Sequence, residues 1–199
     1  MSTTLTQIIT FAASEAYRAD PQGTLAPYID LLRVATGSVK SYHGLTAQSP
    51  AEVFVFNIWD EPTSYDALLN ASRSEPIIDA FENAAKDKAT TIYAQFRSDP
   101  RVAATSPVTE LALITMKEGH TRESVASDLD ALITLGVPPA GPTWGPVVEC
   151  DDTLVLVAGW RSAHKEYLQN PPERLPGLAG ALLLASSWKV VEAQLVEAA

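Results

Sequence analysis

Short stretches of alternating apolar and polar residues run through the chain, and stripes with helical spacing separate them. Alternation with a period of two is typical of a strand that buries one face. In the first half it predicts strands at residues 5–13, 39–45, 53–59 and 91–96. Helical stripes lie between them, on Leu25, Tyr28, Ile29 and Leu32, and on Ile77, Ile78, Phe81, Ala84 and Ala85. The predicted order is β-α-β-β-α-β.

The second half repeats this order. Strands are predicted at residues 109–116, 143–149, 154–160 and 188–196, with a loop at 138–142 and a small helix at about 175–185. A helical stripe is expected on Val125, Leu129, Leu132 and Ile133. Trp59 and Trp160 close matching strands, and their spacing, 160 − 59 = 101, is about half of the 199 residues. We therefore predict two copies of one unit, at 1–98 and 107–199, joined by a polar linker at 99–106.

The order β-α-β-β-α-β is that of a ferredoxin-like unit, in which helices cover one face of a four-stranded sheet. The other face must be buried against a further layer. We expect an α+β protein of tandem ferredoxin-like repeats, whose two bare sheet faces meet to form a pseudo-dimeric α/β barrel. In that arrangement the barrel interior is either filled by side chains or holds a ligand.

Strand alternation divides the residues of each strand between two faces. In the third strand we expect Phe54, Phe56 and Ile58 to lie under the helices, and Asn57 and Trp59 to face away from them. Further polar residues assigned to the face without helices are Gln7, His43, Tyr93, Gln95, Glu110, Glu192 and Gln194. Because an unpaired buried polar group costs roughly 1–3 kcal/mol, this set favours a chamber with a polar ligand or water. Alternatively, these groups pair with one another or lie near open rims.

Composition narrows the classes of partner. The net charge of −10 argues against binding to nucleic acid or to an anionic membrane, because both are polyanions. Cys150 is the only cysteine, so an internal disulfide and a cysteine-based zinc site are excluded. The N-terminus lacks the basic start of a signal peptide, and no apolar run approaches ~20 residues. We expect a cytoplasmic protein without a bound metal, and a homodimer is left open.

The strands that end in Trp59 and Trp160 carry a resemblance to a known family. Each is followed by a potential helix cap, Asp60 or Ser162, and then by Tyr65 in the first copy, or by His164 and Tyr167 in the second. With the strand order, these features resemble the antibiotic biosynthesis monooxygenase family of the dimeric α/β-barrel superfamily. The resemblance implies oxidation of aromatic polyketides by O₂, in secondary metabolism, without metal or flavin. Asn57, Trp59 and Tyr65 resemble part of that family's substrate-binding set.

Several residues are therefore candidates for a site that binds a small aromatic or apolar molecule. Trp59 is expected to stack on the ring, Asn57 and Tyr65 to hold its oxygens, and His43 or Tyr93 to handle protons. Further candidates for substrate contact are Gln95, Glu110, Trp144, Trp160 and His164. Because Ala158 stands where Asn57 stands, the first copy is the favoured site. The alternatives are acid–base cyclisation or isomerisation on the same fold, and a non-catalytic protein that binds a ligand or self-associates.

Overall fold

The chain forms two compact units in a computed structural model that describes residues 4–34, 37–47, 52–59, 81–134, 140–161 and 184–198. Unit 1 contains Met1–Tyr93 and Ala193–Ala199, and unit 2 contains Ala94–Glu192. The strands are β1 (Leu5–Ala12), β2 (Ser38–Leu45), β3 (Glu52–Trp59), β4 (Thr90–Gln95), β5 (Val108–Met116), β6 (Ala140–Pro146), β7 (Thr153–Trp160), β8 (Ala185–Ala193) and β9 (Val196–Glu197). The helices are α1 (Glu15–Ala19), α2 (Pro21–Val34), α3 (Arg101–Ala104) and α4 (Arg122–Thr134).

The two sheets have the same internal strand order. The sheet of unit 1 runs β4-β1-β3-β2-β9, and the sheet of unit 2, taken from its opposite edge, runs β8-β5-β7-β6. In each, the first strand lies between the fourth and the third, and the second strand follows the third. This is the order of the ferredoxin-like unit, so the predicted tandem ferredoxin-like fold is confirmed.

Helix α2 begins directly after Asp20, within the stretch Asp20-Pro21-Gln22-Gly23, a composition that predicts a turn. The Asp20 carboxylate accepts a hydrogen bond from the backbone N–H of Gly23 at 2.9 Å, and Pro21 occupies the first helical position. An aspartate cap followed by proline is a common helix start. The aspartate accepts a hydrogen bond from a free backbone N–H of the first turn, and proline has no N–H that would be left unpaired. The turn signal in the sequence is therefore a capping signal.

The helices of unit 1 cover the sheet face that was predicted to be bare. Leu25, Tyr28, Ile29 and Leu32 of α2 form one buried cluster with residues of β1 and β3 that include Val53, Val55 and Trp59. The predicted faces of β3 are thus inverted, and Asn57 and Trp59 lie beneath the helices. Phe54, Phe56 and Ile58 occupy the opposite face and are also buried. Alternation separates two sets of residues but cannot assign them when both faces are buried.

Unit 2 is built in the same way around α4. Val125 and Leu129 pack with Leu154 and Leu156 of β7 and with Trp144 of β6 in one buried cluster. The set that contains Leu154, Leu156 and Trp160 matches the Trp59 set of β3, so the sequence pattern predicts that it faces away from the helices. It lies on the helix side instead, and this prediction is wrong as well. The faces of the third strand are inverted in both units because the two units share one strand order and carry their helices on the equivalent face.

Some predicted boundaries in the second half are wrong. The loop predicted at 138–142 overlaps β6, which begins at Ala140 and shifts register between Ala140 and Thr143. Strand β6 ends at Pro146 rather than at 149, and the last predicted strand is divided into β8 and β9. Helix α3 lies in the segment that was predicted as a linker, and it buries Ala103 and Ala104.

The C-terminal residues complete the sheet of unit 1. Strand β9 pairs antiparallel with β2, with Val196 opposite His43 and Glu197 opposite Tyr42. The N–H of Ala198 also donates to the Ser41 carbonyl at 2.9 Å, and Lys40 forms an ion pair with Glu197. The tail thus covers the edge of the strand that carries Ser41 and His43, which leaves fewer unpaired backbone groups at this edge.

Among the described residues, no helix is both long and apolar enough to span a membrane.

We predict that Gly44→Ala weakens the pairing of the C-terminal strand β9 with β2. A Cβ at position 44 would lie 1.9 Å from the carbonyl oxygen of Gln194, so the backbone must move. Overpacking of this kind costs roughly 1–3 kcal/mol. Hydrogen exchange should become faster at the amides of residues 196–198.

Gly145→Ala is the matched control, because a Cβ there would lie 2.2 Å from the Gln95 carbonyl oxygen, within unit 2. It should leave the exchange of residues 196–198 unchanged. Equal protection of these amides in the parent and in Gly44→Ala would contradict the role assigned to the tail.

Candidate functional site

A row of polar side chains crosses the helix-covered face of the unit 1 sheet. Strand register places Gln7 of β1 and Ser41 of β2 on either side of Asn57 of β3. Tyr93 of β4 continues the row beyond Gln7, and Tyr28 of α2 reaches it from the helical layer. Paired residues on adjacent strands share a face, so the register alone brings three of these side chains together.

Asn57 lies at the centre of this polar row. Its Nδ2 donates to the Tyr28 hydroxyl at 2.6 Å and to Gln7 Oε1 at 3.0 Å, and its Oδ1 accepts from the Ser41 hydroxyl at 2.6 Å. Gln7 Nε2 in turn donates to the Tyr93 hydroxyl at 3.1 Å. Asn57 is 1% exposed, so each of these bonds replaces one that water would otherwise make. The row is therefore a connected network that fixes the orientation of its members.

Burial strengthens the preference of the Tyr28 phenol for its neutral form. It raises the pKa of the Tyr28 phenol well above its ordinary value, with a smaller contribution in the same direction from Tyr93 and an opposing one from Asn57. Tyr28 is therefore a neutral hydroxyl at physiological pH, able to donate and accept hydrogen bonds but not to act as a phenolate base.

Trp59 lies two residues beyond Asn57 on the same face. Its side chain is fully buried, and its indole N–H has no acceptor among the described residues. A buried unpaired donor is uncommon and costs roughly 1–3 kcal/mol. The sheet therefore presents, next to an ordered polar row, a donor that can bind an acceptor atom.

His43 lies on the other side of the row, opposite Val55 on the same face. It is buried, and its Nδ1 is 2.8 Å from the hydroxyl of Tyr17 in α1. Burial lowers the pKa of the imidazole and raises the pKa of the Tyr17 phenol, so both are neutral near pH 7. The other ring nitrogen, Nε2, has no partner among the described residues.

Helix α1 is held by its cap, and this fixes the position of Tyr17. The Ser14 hydroxyl accepts from the Tyr17 backbone N–H at 3.1 Å and donates to the Asn83 carbonyl at 2.6 Å. One serine thus caps the helix and joins it to the end of the helical residues 81–84. The ring of Tyr17 also packs edge-on against Phe11, with centroids 5.8 Å apart.

Unit 2 has a different chemistry at the matching positions. Glu110 of β5 lies opposite Ala158 of β7, as Gln7 lies opposite Asn57 in unit 1. The pKa of Glu110 is raised to about 7, mainly by burial and also by the negative charge of Glu192, while a hydrogen bond from Trp160 acts in the opposite direction. Glu110 is therefore a carboxyl group that titrates near neutrality, a property that suits a general acid or base.

Trp144 is a core residue whose polar atom is satisfied. Its indole N–H donates to Asp130 Oδ1 at 2.9 Å, and the Arg97 guanidinium lies over its ring at 4.2 Å from the centroid. Arg97 also forms an ion pair with Asp130 at 3.1 Å. With its ring in the buried cluster around Val125 and Leu129, Trp144 fills the core of unit 2.

The structure brings only part of the predicted residue set together. Asn57, Trp59, Tyr93 and His43 share the helix-covered face of unit 1, whereas Glu110, Trp144 and Trp160 belong to unit 2. Gln95 also belongs to unit 2, where its carbonyl lies against Gly145, so it is not part of the polar row. Tyr65 and His164 lie outside the described residues.

Sequence reasoning missed the roles of two tyrosines. Tyr28 was assigned to the apolar stripe of its helix, and Tyr17 to no element. Each places a hydroxyl against a polar group of the sheet, Tyr28 against Asn57 and Tyr17 against His43. One sequence feature could have predicted the role of Tyr28, because a tyrosine in a buried helical stripe needs a hydrogen-bond partner for its hydroxyl.

This arrangement can bind and polarise an oxygen atom. Two side chains with a buried, unpaired nitrogen, Trp59 and His43, flank a neutral polar row in surroundings from which water is largely excluded, and the nitrogen of Trp59 is a donor. Hydrogen bonds are stronger there than in water, so such donors can stabilise negative charge that develops on a ligand oxygen. A fully charged ligand would need further compensation, because the row itself is neutral.

Several solved structures share this fold. A candidate monooxygenase from Lactobacillus acidophilus matches with a TM-score of 0.68 and 10% identity, over 99% of this chain and 95% of its own. Another from Fusobacterium nucleatum matches with a TM-score of 0.69 and 8% identity, over 98% and 93%. An anthrone oxidase-like protein matches with a TM-score of 0.67 and 12% identity, over 98% and 92%. The predicted resemblance is thus confirmed at the level of the fold.

No protein-family model matches the chain, and no curated protein matches its sequence. At sequence identities of 8–12%, the structural likeness shows the fold alone.

We predict that Glu110→Gln changes how stability depends on pH. The pKa of Glu110 is raised from 4.5 to about 7 in the folded chain, so its proton stabilises the fold below about pH 4.5 and this contribution is lost as the pH rises through 7. Above pH 7 the neutral variant should therefore be more stable than the parent, by up to roughly 3 kcal/mol.

Urea unfolding at pH 5 and pH 8 measures this difference. Glu118→Gln, in an exposed loop of the same unit, is the control and should leave both values unchanged. A Glu110→Gln variant that loses stability at pH 8 would show that the folded state uses the ionised carboxylate.

Proposed function

On the premise that the chain has the fold of these monooxygenase candidates, we propose that it oxidises a small aromatic substrate with O₂, without a cofactor. The site is the helix-covered face of unit 1, around the polar row and Trp59. The single observation that carries the proposal is the indole N–H of Trp59, fully buried and without an acceptor among the described residues. A donor in this state fits a site that receives an oxygen atom from a ligand.

The chemistry needs no further redox group if the substrate is electron-rich. An anthrone loses a proton to give an enolate, which reduces O₂; one oxygen atom enters the ring as the new carbonyl, and the other leaves as water. The activation barrier to enolate formation falls when hydrogen-bond donors stabilise the negative charge that develops on the enolate oxygen. Trp59 supplies such a donor, and two residues away on the same strand Asn57 Nδ2 donates to the Tyr28 hydroxyl at 2.6 Å and so fixes its position.

The polar row contributes orientation rather than charge. All of its members are neutral, and most of their hydrogen-bonding capacity is used within the row. Side chains held in this way need little reorganisation when a substrate binds, which is the property that favours transition-state stabilisation. Tyr93, half-buried at one end of the row, is the member best placed to exchange a proton with solvent.

We predict that the protein consumes O₂ in the presence of anthrone and that Trp59→Phe lowers kcat/KM by roughly 100-fold. Loss of one donor to a developing oxyanion has an effect of this size. An oxygen electrode measures the rate, and the anthraquinone product is identified by its mass.

Trp144→Phe is the matched control, because that indole already pairs with Asp130 in unit 2. It should retain the parent rate. Far-ultraviolet circular dichroism and urea unfolding establish that both variants are folded. Absence of O₂ uptake with anthrones and hydroquinones in the parent protein would contradict the proposal, and ligand binding without uptake would favour the non-catalytic alternative.

A second candidate function is acid–base catalysis in unit 2, such as an isomerisation or cyclisation. The observation that favours it is the pKa of Glu110, raised to about 7 by burial and by Glu192. A carboxyl group that titrates near the working pH can both remove and return a proton.

This second function predicts turnover that does not depend on O₂. Exchange of an enolisable proton of an aromatic ketone for deuterium, followed by NMR in an anaerobic chamber, should be lost in Glu110→Gln and retained in Trp59→Phe. The opposite pattern of losses would assign the reaction to unit 1.

A further inference from the structure

Among the described residues, His43 has a hydrogen-bond partner at only one of its two ring nitrogens. Its side chain is 1% exposed, and its Nδ1 lies 2.8 Å from the Tyr17 hydroxyl. The two rings meet edge-on with centroids 5.9 Å apart, so the imidazole has little freedom to rotate. Its second nitrogen, Nε2, is buried and has no partner among the described residues.

The position of the proton on this ring follows from counting unpaired groups. If the Tyr17 hydroxyl donates to Nδ1, then Nε2 carries the ring proton, and a single N–H is left unpaired. If Nδ1–H donates to the Tyr17 oxygen instead, the phenolic hydrogen and the Nε2 lone pair are both left unpaired. Within the described part of the chain, the Tyr17 hydroxyl has no other acceptor. Since every unpaired buried group is destabilising, the first arrangement is favoured.

Burial keeps both groups neutral in this arrangement. It raises the pKa of the Tyr17 phenol, so the hydroxyl retains its proton, and it lowers the pKa of His43, so the ring does not gain a second one. A neutral imidazole with its proton on Nε2 is a hydrogen-bond donor at that atom and has no lone pair there to act as a base.

His43 and Trp59 face the same layer of unit 1. They lie on neighbouring strands, on the face that α2 covers, and on opposite sides of the polar row. Both present a buried nitrogen without a partner among the described residues. The Trp59 nitrogen is a donor in any case, and the His43 nitrogen is a donor in the favoured tautomer. A ligand that satisfies them must therefore offer acceptor atoms.

We propose that His43 acts as a hydrogen-bond donor through Nε2–H to an acceptor oxygen of the ligand, and that Tyr17 is the positioning residue that holds this tautomer. This rests on the proposed function, because it uses the same face of unit 1. It replaces the expectation that His43 is a general base. The ligand class becomes more specific: aromatic molecules with at least two carbonyl or phenolic oxygens, one for each donor.

The tautomer is measured in the protein without ligand. Long-range ¹H–¹⁵N correlation spectra of histidine-labelled protein at neutral pH should show His43 protonated at Nε2 and bare at Nδ1. The His43→Gln variant identifies its signals by their loss, and exposed His120 serves as an internal reference. Tyr17→Phe should convert His43 to a mixture of tautomers. A proton on Nδ1, or on both nitrogens, would overturn the proposal.

Binding tests the donor role. The probe is 1,8-dihydroxyanthraquinone, which is uncharged at neutral pH and carries carbonyl and phenolic oxygens, added under anaerobic conditions and followed by tryptophan fluorescence. His43→Leu should weaken binding roughly tenfold, the value of one hydrogen bond, whereas His43→Gln, whose side-chain amide can still donate, should recover most of the affinity. Tyr17→Phe should weaken binding by a smaller factor, and His120→Gln should not change it.

The outcomes separate the two proposals. Equal binding by His43→Leu and the parent would overturn the donor role and leave the oxygenase proposal standing. No rescue by His43→Gln would likewise count against a donor. If the parent does not bind 1,8-dihydroxyanthraquinone, the proposed ligand class fails, and the tautomer spectrum still decides whether Tyr17 holds His43 as a donor.

Discussion

Buried polar atoms must be paired, and this constraint explains how unit 1 is organised. Asn57 is almost completely buried, and its amide is satisfied by Gln7, Ser41 and Tyr28, which arrive from two strands and a helix. A shift of one residue in strand register would turn Asn57 to the other face and leave its partners unpaired. The row thus fixes the strand register and orients the covering helix. The neighbouring nitrogens of Trp59 and His43, in contrast, have no partner among the described residues.

The two units keep one backbone design and differ in the side chains at the matching positions. Trp59 and Trp160 end equivalent strands, but Gln7 corresponds to Glu110 and Asn57 to Ala158. Unit 1 therefore contains a neutral hydrogen-bonded row, while unit 2 contains a carboxyl group whose pKa is raised to about 7. A duplicated fold can preserve its apolar core while the polar residues at one row diverge, because few of the core contacts depend on them.

The sequence was sufficient to predict the strands, their order and the duplication, because these follow from periodicity and from local capping signals. It was not sufficient to assign the faces of β3, since Phe54, Phe56 and Ile58 are as apolar as the set that contains Val53 and Val55, and both are buried. The sequence correctly grouped Asn57, Trp59 and His43 on one face. It did not predict that helices cover that face. The tyrosine partners depend on tertiary packing, which no local pattern encodes.

The central claim is that the helix-covered face of unit 1 binds an oxygen-bearing ligand through Trp59. The chain has four tryptophans, so its indole N–H signals can be resolved and assigned by single substitutions. During a titration with 1,8-dihydroxyanthraquinone, the ¹H–¹⁵N spectrum should show the Trp59 indole signal moving downfield as it gains an acceptor, while the Trp144 signal stays in place. Saturating ligand that leaves the Trp59 signal unmoved would contradict the account.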